Sequence, residues 1–217
     1  MSQFVVCAFY TPNYEEDVRR LEISLKAFGH EYYLKPCERL PTWEQNTGIK
    51  PGFLLECLQR FPDKDVLYID ADAFVRRELE GFDQFEGDIG IHFNENGGSH
   101  KIRTGTIYLR NNPRTLSFLQ DWTAAQQTNV NFNDQDSFEV VLANKPEVSF
   151  FQLPVAFVKI YDRAGDDVAP YIEHFQSSRL SENIKIRDGK ARKRKKYRRL
   201  LIITNLVYLA IIAALVL

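Results

Sequence analysis

The amino-acid sequence predicts one α/β domain built on a mostly parallel central sheet. Short runs of β-forming apolar residues alternate along the chain with segments in which apolar residues recur every three or four positions. That alternation is typical of a sheet with helices packed on its faces. The 217 residues are 44% hydrophobic and 13% aromatic, which suits one substantial core and excludes disorder over most of the length.

The first elements read as a strand, a helix and a second strand, the start of a βαβ unit. Residues 4–9 (FVVCAF) are an apolar run followed by a turn cluster, and residues 32–34 form the second strand. Between them, residues 14–28 place their apolar side chains on one helical face, and Gly29 ends the helix. The apolar residues of that face are Val18, Leu21, Leu25 and Phe28.

The later elements continue the alternation. A polar loop containing Trp43 leads to a helix through Phe53 and Phe61, which ends at Pro62. Another helix begins at Pro113, and a third at Asn133 or Asp134, either of which is a natural N-cap. Further strands are predicted over residues 66–69, 88–93, 106–109, 149–153 and 171–175.

The net charge of −1 hides a strongly basic segment near the C-terminus. Residues 184–199 hold ten Lys or Arg and one Asp, whereas residues 1–183 carry 18 basic and 28 acidic side chains. Residues 200–217 carry no charge, and as a helix they would extend about 27 Å, close to the roughly 30 Å hydrocarbon core of a bilayer. A buried core helix is the alternative, but such a helix rarely lacks a polar face.

We therefore expect a domain over residues 1–183, a basic juxtamembrane collar over 184–199 and a transmembrane tail over 200–217. Because basic residues stay on the cytoplasmic side, this single-pass C-terminal anchor would keep the domain in the cytoplasm. The first ten residues lack the features of a signal peptide. The three cysteines, Cys7, Cys37 and Cys57, have no metal-type spacing and read as reduced structural thiols.

The strongest chemical signal is residues 66–72 (VLYIDAD), an apolar strand that ends in two carboxylates. If the extended conformation continues through Ala71, Asp70 and Asp72 project to the same side. Two hard oxygen ligands suit a divalent cation such as Mg²⁺ or Mn²⁺, and open α/β sheets bind ligands at the carboxyl ends of strands. Asp-x-Asp also occurs at 63–65 and 134–136, but without such a strand before it. The alternative for this pair is a solvated turn or a helix N-cap.

Taken in order, these pieces resemble the glycosyltransferases of the Rossmann-like GT-A fold, and most of all the glycogenin and lipopolysaccharide-galactosyltransferase group of retaining enzymes. The resemblance spans residues 4 to about 180. Its counterparts here are the strand and loop 4–11, Asp70-Ala71-Asp72, Asp134-Gln135-Asp136, and residues 174–179 (HFQSSR). In two departures, Ser177 stands where the family has Gly and Arg179 where it has Lys, although Arg can hold a diphosphate bidentately.

The resemblance implies a metal centre and a donor site. Asp70, Asp72 and His174 would hold one Mn²⁺ or Mg²⁺ against the diphosphate of a nucleotide-sugar. Asp134 and Gln135 would lie over the donor sugar as the catalytic pair. The remaining donor contacts are implied at Tyr10, Thr11, Lys50, Asp70, Arg103 and Arg179.

Each of these assignments has a structural alternative. Asp134 and Gln135 suit a simple helix N-terminus equally well on local sequence. His174 is the type of residue that also occurs as a buried structural imidazole, and Tyr10 as an exposed turn aromatic.

The sequence thus predicts a metal-dependent glycosyltransferase that moves a sugar, from a UDP-sugar, to a membrane-associated or lipid-linked glycan. Retention of configuration is implied by the resemblance alone. A non-catalytic, tail-anchored scaffold and a transferase acting on nucleic acid are the alternatives. Nucleic-acid binding has little support, because a basic collar beside an apolar segment already has a membrane explanation. A rise in melting temperature on adding Mn²⁺ and a UDP-sugar would separate the enzyme from the scaffold.

Overall fold

Strands and helices alternate along the chain, as the hydrophobic pattern predicts. The structure is a computed structural model, and it describes residues 4–94, 100–163 and 166–177. Its strands are β1 (Phe4–Tyr10), β2 (Tyr32–Pro36), β3 (Asp65–Ile69), β4 (Ala73–Val75), β5 (Ile89–Phe93), β6 (Ile102–Leu109), β7 (Phe150–Gln152), β8 (Lys159–Ile160) and β9 (Ile172–His174). Its helices are α1 (Glu15–Ala27), α2 (Trp43–Thr47), α3 (Lys50–Arg60), α4 (Pro113–Thr128) and α5 (Asp134–Leu142). Short 3-10 turns lie at Pro12–Tyr14, Phe82–Gln84 and Val155–Phe157.

The central sheet has one strand that runs against the rest. Within the described residues it contains six strands in the order β2-β1-β3-β6-β5-β7. β6 is antiparallel to both of its neighbours, while all other pairings are parallel. The predicted α/β class with a mostly parallel central sheet is therefore confirmed.

Alternate residues of the inner strands face two separate cores. One core includes residues of α3, α4 and α5, and the other includes residues of α1. The β1 and β3 residues in the first core are Val5, Cys7, Val66 and Tyr68, and those in the second are Val6, Ala8, Leu67 and Ile69. Because both faces are covered, these strands read in the sequence as unbroken apolar runs rather than alternating ones.

A second, smaller sheet was not predicted. Its strands lie in the order β4-β9-β8, with β9 antiparallel to β4 and parallel to β8. Strands of two or three residues are too short to show a period in the sequence. The five-residue helix α2 was expected as part of a polar loop for the same reason, and β6 begins at Ile102 rather than at Thr106.

The collar and the tail, residues 184–217, lie outside the described residues, so the predictions made for them stay predictions. In the part of the chain that is described, no helix combines the length and the apolar character needed to cross a bilayer. The described residues up to Gln176 belong to one compact unit.

A buried carboxylate stabilises the edge of the sheet at which the parallel strands begin. Asp88, immediately before β5, is 2% exposed. It accepts hydrogen bonds of 2.9 Å from Nε and Nη2 of Arg114, and others from the Asn112 amide and from the backbone N–H and hydroxyl of Ser149. Burial alone would raise its pKa, but these bonds outweigh burial and hold the pKa of Asp88 well below its usual range.

We expect Asp88→Asn to lower the free energy of unfolding at pH 7 by about 1–3 kcal/mol, because Asn is a weaker acceptor for Arg114. The folded-state pKa lies below the unfolded value of about 3.9. The stabilisation is therefore present above that value and is lost as the pH falls through the folded pKa. Urea denaturation at pH 7 and pH 3 should show the gap between wild type and variant shrinking at pH 3. A gap that stays constant or grows would contradict this assignment.

Candidate active site

The carboxyl ends of β1 and β3 lie side by side, and the start of β6 joins them. β1 and β3 are parallel with Cys7 opposite Tyr68, whereas β6 runs antiparallel to β3 with Thr106 opposite Ile69. The residues that follow β1 and β3 therefore share one edge with the first residues of β6. Open α/β sheets bind their ligands at this edge.

Asp70 and Asp72 lie in a tight turn between β3 and β4. β3 ends at Ile69, and the backbone N–H of Ala73 donates to the carbonyl of Asp70 at 3.1 Å. The extended conformation does not continue through Ala71, and the chain forms the turn that the sequence left open as the alternative before it enters the small sheet. The turn, and not the alternation of a strand, brings the two carboxylates to one side.

Pairing between β4 and β9 places His174 beside this turn. Ala73 lies opposite His174 in the antiparallel pair, and the N–H of Phe175 donates to the carbonyl of Asp72 at 3.2 Å. One possible ligand atom from each of Asp70, Asp72 and His174 lies within 4.8 Å of the other two. The structure thus brings together all three residues that the sequence predicts as metal ligands.

The backbone of Gly105 passes directly below this cluster. The N–H of Asp70 donates to the Gly105 carbonyl at 2.8 Å. A Cβ at residue 105 would lie 3.1 Å from Oδ2 of Asp70 and 3.3 Å from Nδ1 of His174. Since contacts this short force a neighbour to move, any side chain here would displace two of the three candidate ligands.

His174 is neutral at physiological pH. The residue is 5% exposed, and burial lowers its pKa to about 4 although the nearby Asp70 carboxylate favours the charged form. A neutral imidazole keeps a lone pair on one ring nitrogen, which metal ligation requires.

A buried ammonium links the cluster to Asp134. Lys50 begins α3 and is 3% exposed. Its Nζ lies 2.5 Å from Oδ2 of Asp134 and 3.2 Å from Oδ1 of Asp70. The third N–H donates to the Thr104 carbonyl at 3.0 Å. Burial disfavours the charge, but the two carboxylates outweigh burial and raise the pKa of Lys50, so the ammonium stays charged.

Asp134 is not the cap of its helix. Asn133 is the N-cap of α5, and its side chain accepts from the N–H groups of Gln135 and Asp136. The Asp134 carboxylate points elsewhere, since its Oδ2 accepts from Lys50 and, at 2.7 Å, from the hydroxyl of Thr104. Local capping therefore does not account for an acidic residue at this position. The Gln135 amide donates to the carbonyl of Ile102 at 2.7 Å, so it also lies against the start of β6.

The other predicted donor residues are held in different ways. Tyr10 ends β1 at the same edge, and the Thr11 hydroxyl donates to Oδ1 of Asn13 at 2.7 Å. Arg103 forms a bidentate pair with the buried Asp166, at 2.7 and 3.0 Å, so most of its guanidinium is engaged within the protein. Arg179 lies outside the described residues.

The sequence analysis missed several residues that build this edge. Tyr14 is one: burial raises the pKa of its phenol, and electrostatic interaction with the Asp72 and Asp70 carboxylates raises that pKa further. Thr104, Gly105 and Thr106 are the others, and all belong to β6. The run of charged, polar and small residues 103–106 directly before the apolar residues 107–109 was the available signal.

Residues 42–179, more than half of the chain, match the family model of the nucleotide-diphospho-sugar transferases. The chain belongs to this family. A glycosyltransferase involved in glycosylation of the major capsid of PBCV-1 superposes with a TM-score of 0.66 and 12% identity, over 81% of this chain and 93% of that one. The glycosyltransferase GlyE of Streptococcus pneumoniae TIGR4 superposes with a TM-score of 0.52 and 16% identity, over 80% of this chain and 55% of GlyE. No curated protein matches the sequence significantly.

Family and fold together confirm that this nucleotide-diphospho-sugar transferase is a glycosyltransferase of the GT-A type. The activity class predicted from the sequence is thereby confirmed.

If the Asp134 carboxylate lies over the donor sugar, as the family resemblance implies, we expect Asp134→Asn to lower kcat by at least about 100-fold with a smaller loss of UDP affinity, because an uncharged amide replaces the carboxylate. The melting temperature should also fall, since Lys50 loses a charged partner. Asp88→Asn is the matched control, a buried and cation-paired carboxylate at the opposite edge. It should lower the melting temperature and leave kcat unchanged. Equal losses of kcat and UDP affinity in Asp134→Asn would mean that this residue acts through folding only.

Proposed function

We propose that this glycosyltransferase depends on a divalent metal ion and uses a UDP-sugar as donor. The observation that carries the proposal is the convergence of Asp70, Asp72 and His174 at the carboxyl edge of the sheet, with ligand atoms within 4.8 Å of one another. A site of this kind at this edge suits a nucleoside diphosphate, whose phosphates need a counter-charge.

The residues present fit a divalent ion. Oδ1 of Asp70 accepts from Tyr68 and Lys50, which leaves Oδ2 on the side of His174 and Gly105. Gly105 supplies the space that a Cβ would otherwise fill. Two carboxylates and one neutral imidazole favour Mn²⁺ over Mg²⁺, because Mg²⁺ prefers an all-oxygen shell. Mn²⁺ is therefore the proposed ion.

Charge compensation is the main task of such a site. Residues 1–183 carry 28 acidic and 18 basic side chains, so the domain by itself repels a diphosphate. When bound, the metal ion would neutralise charge on the departing nucleoside diphosphate. Lys50 contributes a fixed positive charge close to Asp70, and Arg179 is proposed to bind the diphosphate directly.

Asp134 and Gln135 are proposed to face the donor sugar. The Asp134 carboxylate is 3% exposed and held by Lys50 and Thr104, so its orientation is set before any donor arrives. A preoriented carboxylate stabilises positive charge that develops at the anomeric carbon. Transfer with retention is proposed from the family resemblance, and Tyr10 and Thr11 are proposed to contact the base.

The acceptor is proposed to be a membrane-associated or lipid-linked glycan. The support is the sequence of residues 184–217, a basic collar followed by 18 uncharged residues. In this arrangement the catalytic domain stays on the cytoplasmic side, within reach of its nucleotide-sugar supply and of the membrane surface. The collar's position beside this apolar segment also argues against nucleic acid as the acceptor.

Asp70→Asn should abolish Mn²⁺-dependent hydrolysis of a UDP-sugar, with a loss of at least about 100-fold, because it removes a charged ligand without changing the shape of the side chain. The exposed Asp63, which belongs to another Asp-x-Asp in the chain, gives the control Asp63→Asn, and this variant should keep full activity. Turnover and Mn²⁺ titration of both variants would be compared. If Asp70→Asn keeps full Mn²⁺-dependent turnover, the metal assignment fails.

Deletion of residues 184–217 should release a soluble protein that hydrolyses the donor at the normal rate. It should glycosylate a membrane acceptor much less efficiently, because the local concentration of enzyme at the surface is lost. Fractionation with and without detergent, and protease added outside sealed cells, would test the topology. A full-length protein that is soluble without detergent, or a domain that external protease digests, overturns it.

A further inference from the structure

The hydroxyl of Thr106, in β6, lies between the imidazole of the candidate metal ligand His174 and the backbone carbonyl of Phe157. The residue is fully buried. Its hydroxyl oxygen lies 2.9 Å from Nε2 of His174 and 2.8 Å from the carbonyl oxygen of Phe157. Its pairing opposite Ile69 fixes it at the carboxyl edge, one residue beyond Gly105.

The hydroxyl has only one proton to give. A carbonyl oxygen can only accept, so the bond between Thr106 and the Phe157 carbonyl uses that proton. The second bond therefore runs the other way, with Nε2–H of His174 donating to a lone pair of the Thr106 oxygen. A neutral imidazole carries one N–H, so a proton on Nε2 leaves the lone pair on Nδ1.

Nδ1, the other ring nitrogen, lies near the Asp70 carboxylate. A Cβ atom on residue 105 would lie 3.3 Å from Nδ1 of His174 and 3.1 Å from Oδ2 of Asp70, so these two atoms border the same space above Gly105. Oδ1 of Asp70 is occupied by Tyr68 and Lys50, so Oδ2 is the carboxylate oxygen nearer to Nδ1. The lone pair that the Nε2–H tautomer leaves on Nδ1 therefore lies close to an oxygen of Asp70.

We propose that Thr106 is a positioning residue that holds His174 in its Nε2–H tautomer and so directs the Nδ1 lone pair at the divalent ion. The proposal rests on the proposed metal centre and adds the residue that orients one of its ligands. Outer partners of this kind fix the tautomer and the ring orientation of a ligating histidine, and their loss weakens metal affinity by about 10–100-fold. Without the Thr106 oxygen, the ring is free to carry its proton on Nδ1 or to rotate away.

Three variants of the full-length protein separate this role from a structural one. Thr106→Val keeps the shape but removes the acceptor, so the Mn²⁺ dissociation constant from calorimetry should rise about 10–100-fold. Thr106→Ser keeps the hydroxyl and should bind Mn²⁺ like the wild type. Thr115→Val is the matched control, because Thr115 is also fully buried and donates to a carbonyl, that of Asp88, remote from His174. It should leave Mn²⁺ affinity unchanged.

Imidazole ¹⁵N NMR of the metal-free wild type reads the tautomer directly, with His174 assigned by its absence in His174→Gln. We expect a protonated Nε2 and an unprotonated Nδ1 in the wild type, and a mixture of tautomers in Thr106→Val. A proton on Nδ1 in the wild type, or unchanged Mn²⁺ affinity in Thr106→Val, overturns the proposal. If the wild type binds no Mn²⁺, the proposed metal centre fails, whereas the NMR spectrum still decides whether Thr106 sets the tautomer.

Discussion

The buried ammonium of Lys50 is the interaction on which the active-site edge depends. A charge this far from water is stable only when its hydrogen bonds are filled, and two carboxylates and one carbonyl fill them. The same contacts join the turn after β3, the start of β6 and the start of α5 around one point. Because removal of one partner would leave the others buried and unpaired, the positions of Asp70 and Asp134 are linked to each other. The candidate metal ligand Asp70 and the candidate catalytic residue Asp134 thus belong to one electrostatic unit.

The direction of β6 explains why that unit can form. A strand parallel to β3 would bring its last residues to the ligand-binding edge, but the antiparallel β6 brings its first ones, Arg103 to Thr106. Each of these residues has a distinct part. Arg103 binds the loop residue Asp166, Thr104 binds Lys50 and Asp134, Gly105 makes room below the cluster, and Thr106 bonds to His174. A four-residue segment therefore supports most of the candidate site.

Much of this could be predicted from the sequence, and the exceptions have physical causes. Strands β1 and β3, which are covered on both faces, were predicted from their apolar runs. The Asp pair after β3 was expected at the carboxyl edge of the sheet, and the structure places it there. The direction of β6 could not be read from its residues, because strand direction is set by long-range pairing that leaves no local period. For the same reason the sequence could not predict the pairing of β4 with β9, which places His174 beside Asp72. The turn at Asp70 was left open as an alternative, since Asp-Ala-Asp suits a turn and a strand end alike.

The pairing of β4 with β9 has a consequence for how the enzyme matures. The three candidate ligands come from one turn near the middle of the described chain and from its last strand, so no early folding fragment contains the complete set. Contacts between such distant segments form late, since chain entropy must be lost before they are gained. An ion that binds only the assembled set stabilises the docking of that strand, because part of its binding free energy contributes to folding. If the proposed metal centre is present, a chain in which β9 has not yet paired with β4 would lack one of the three ligands and would bind the ion weakly.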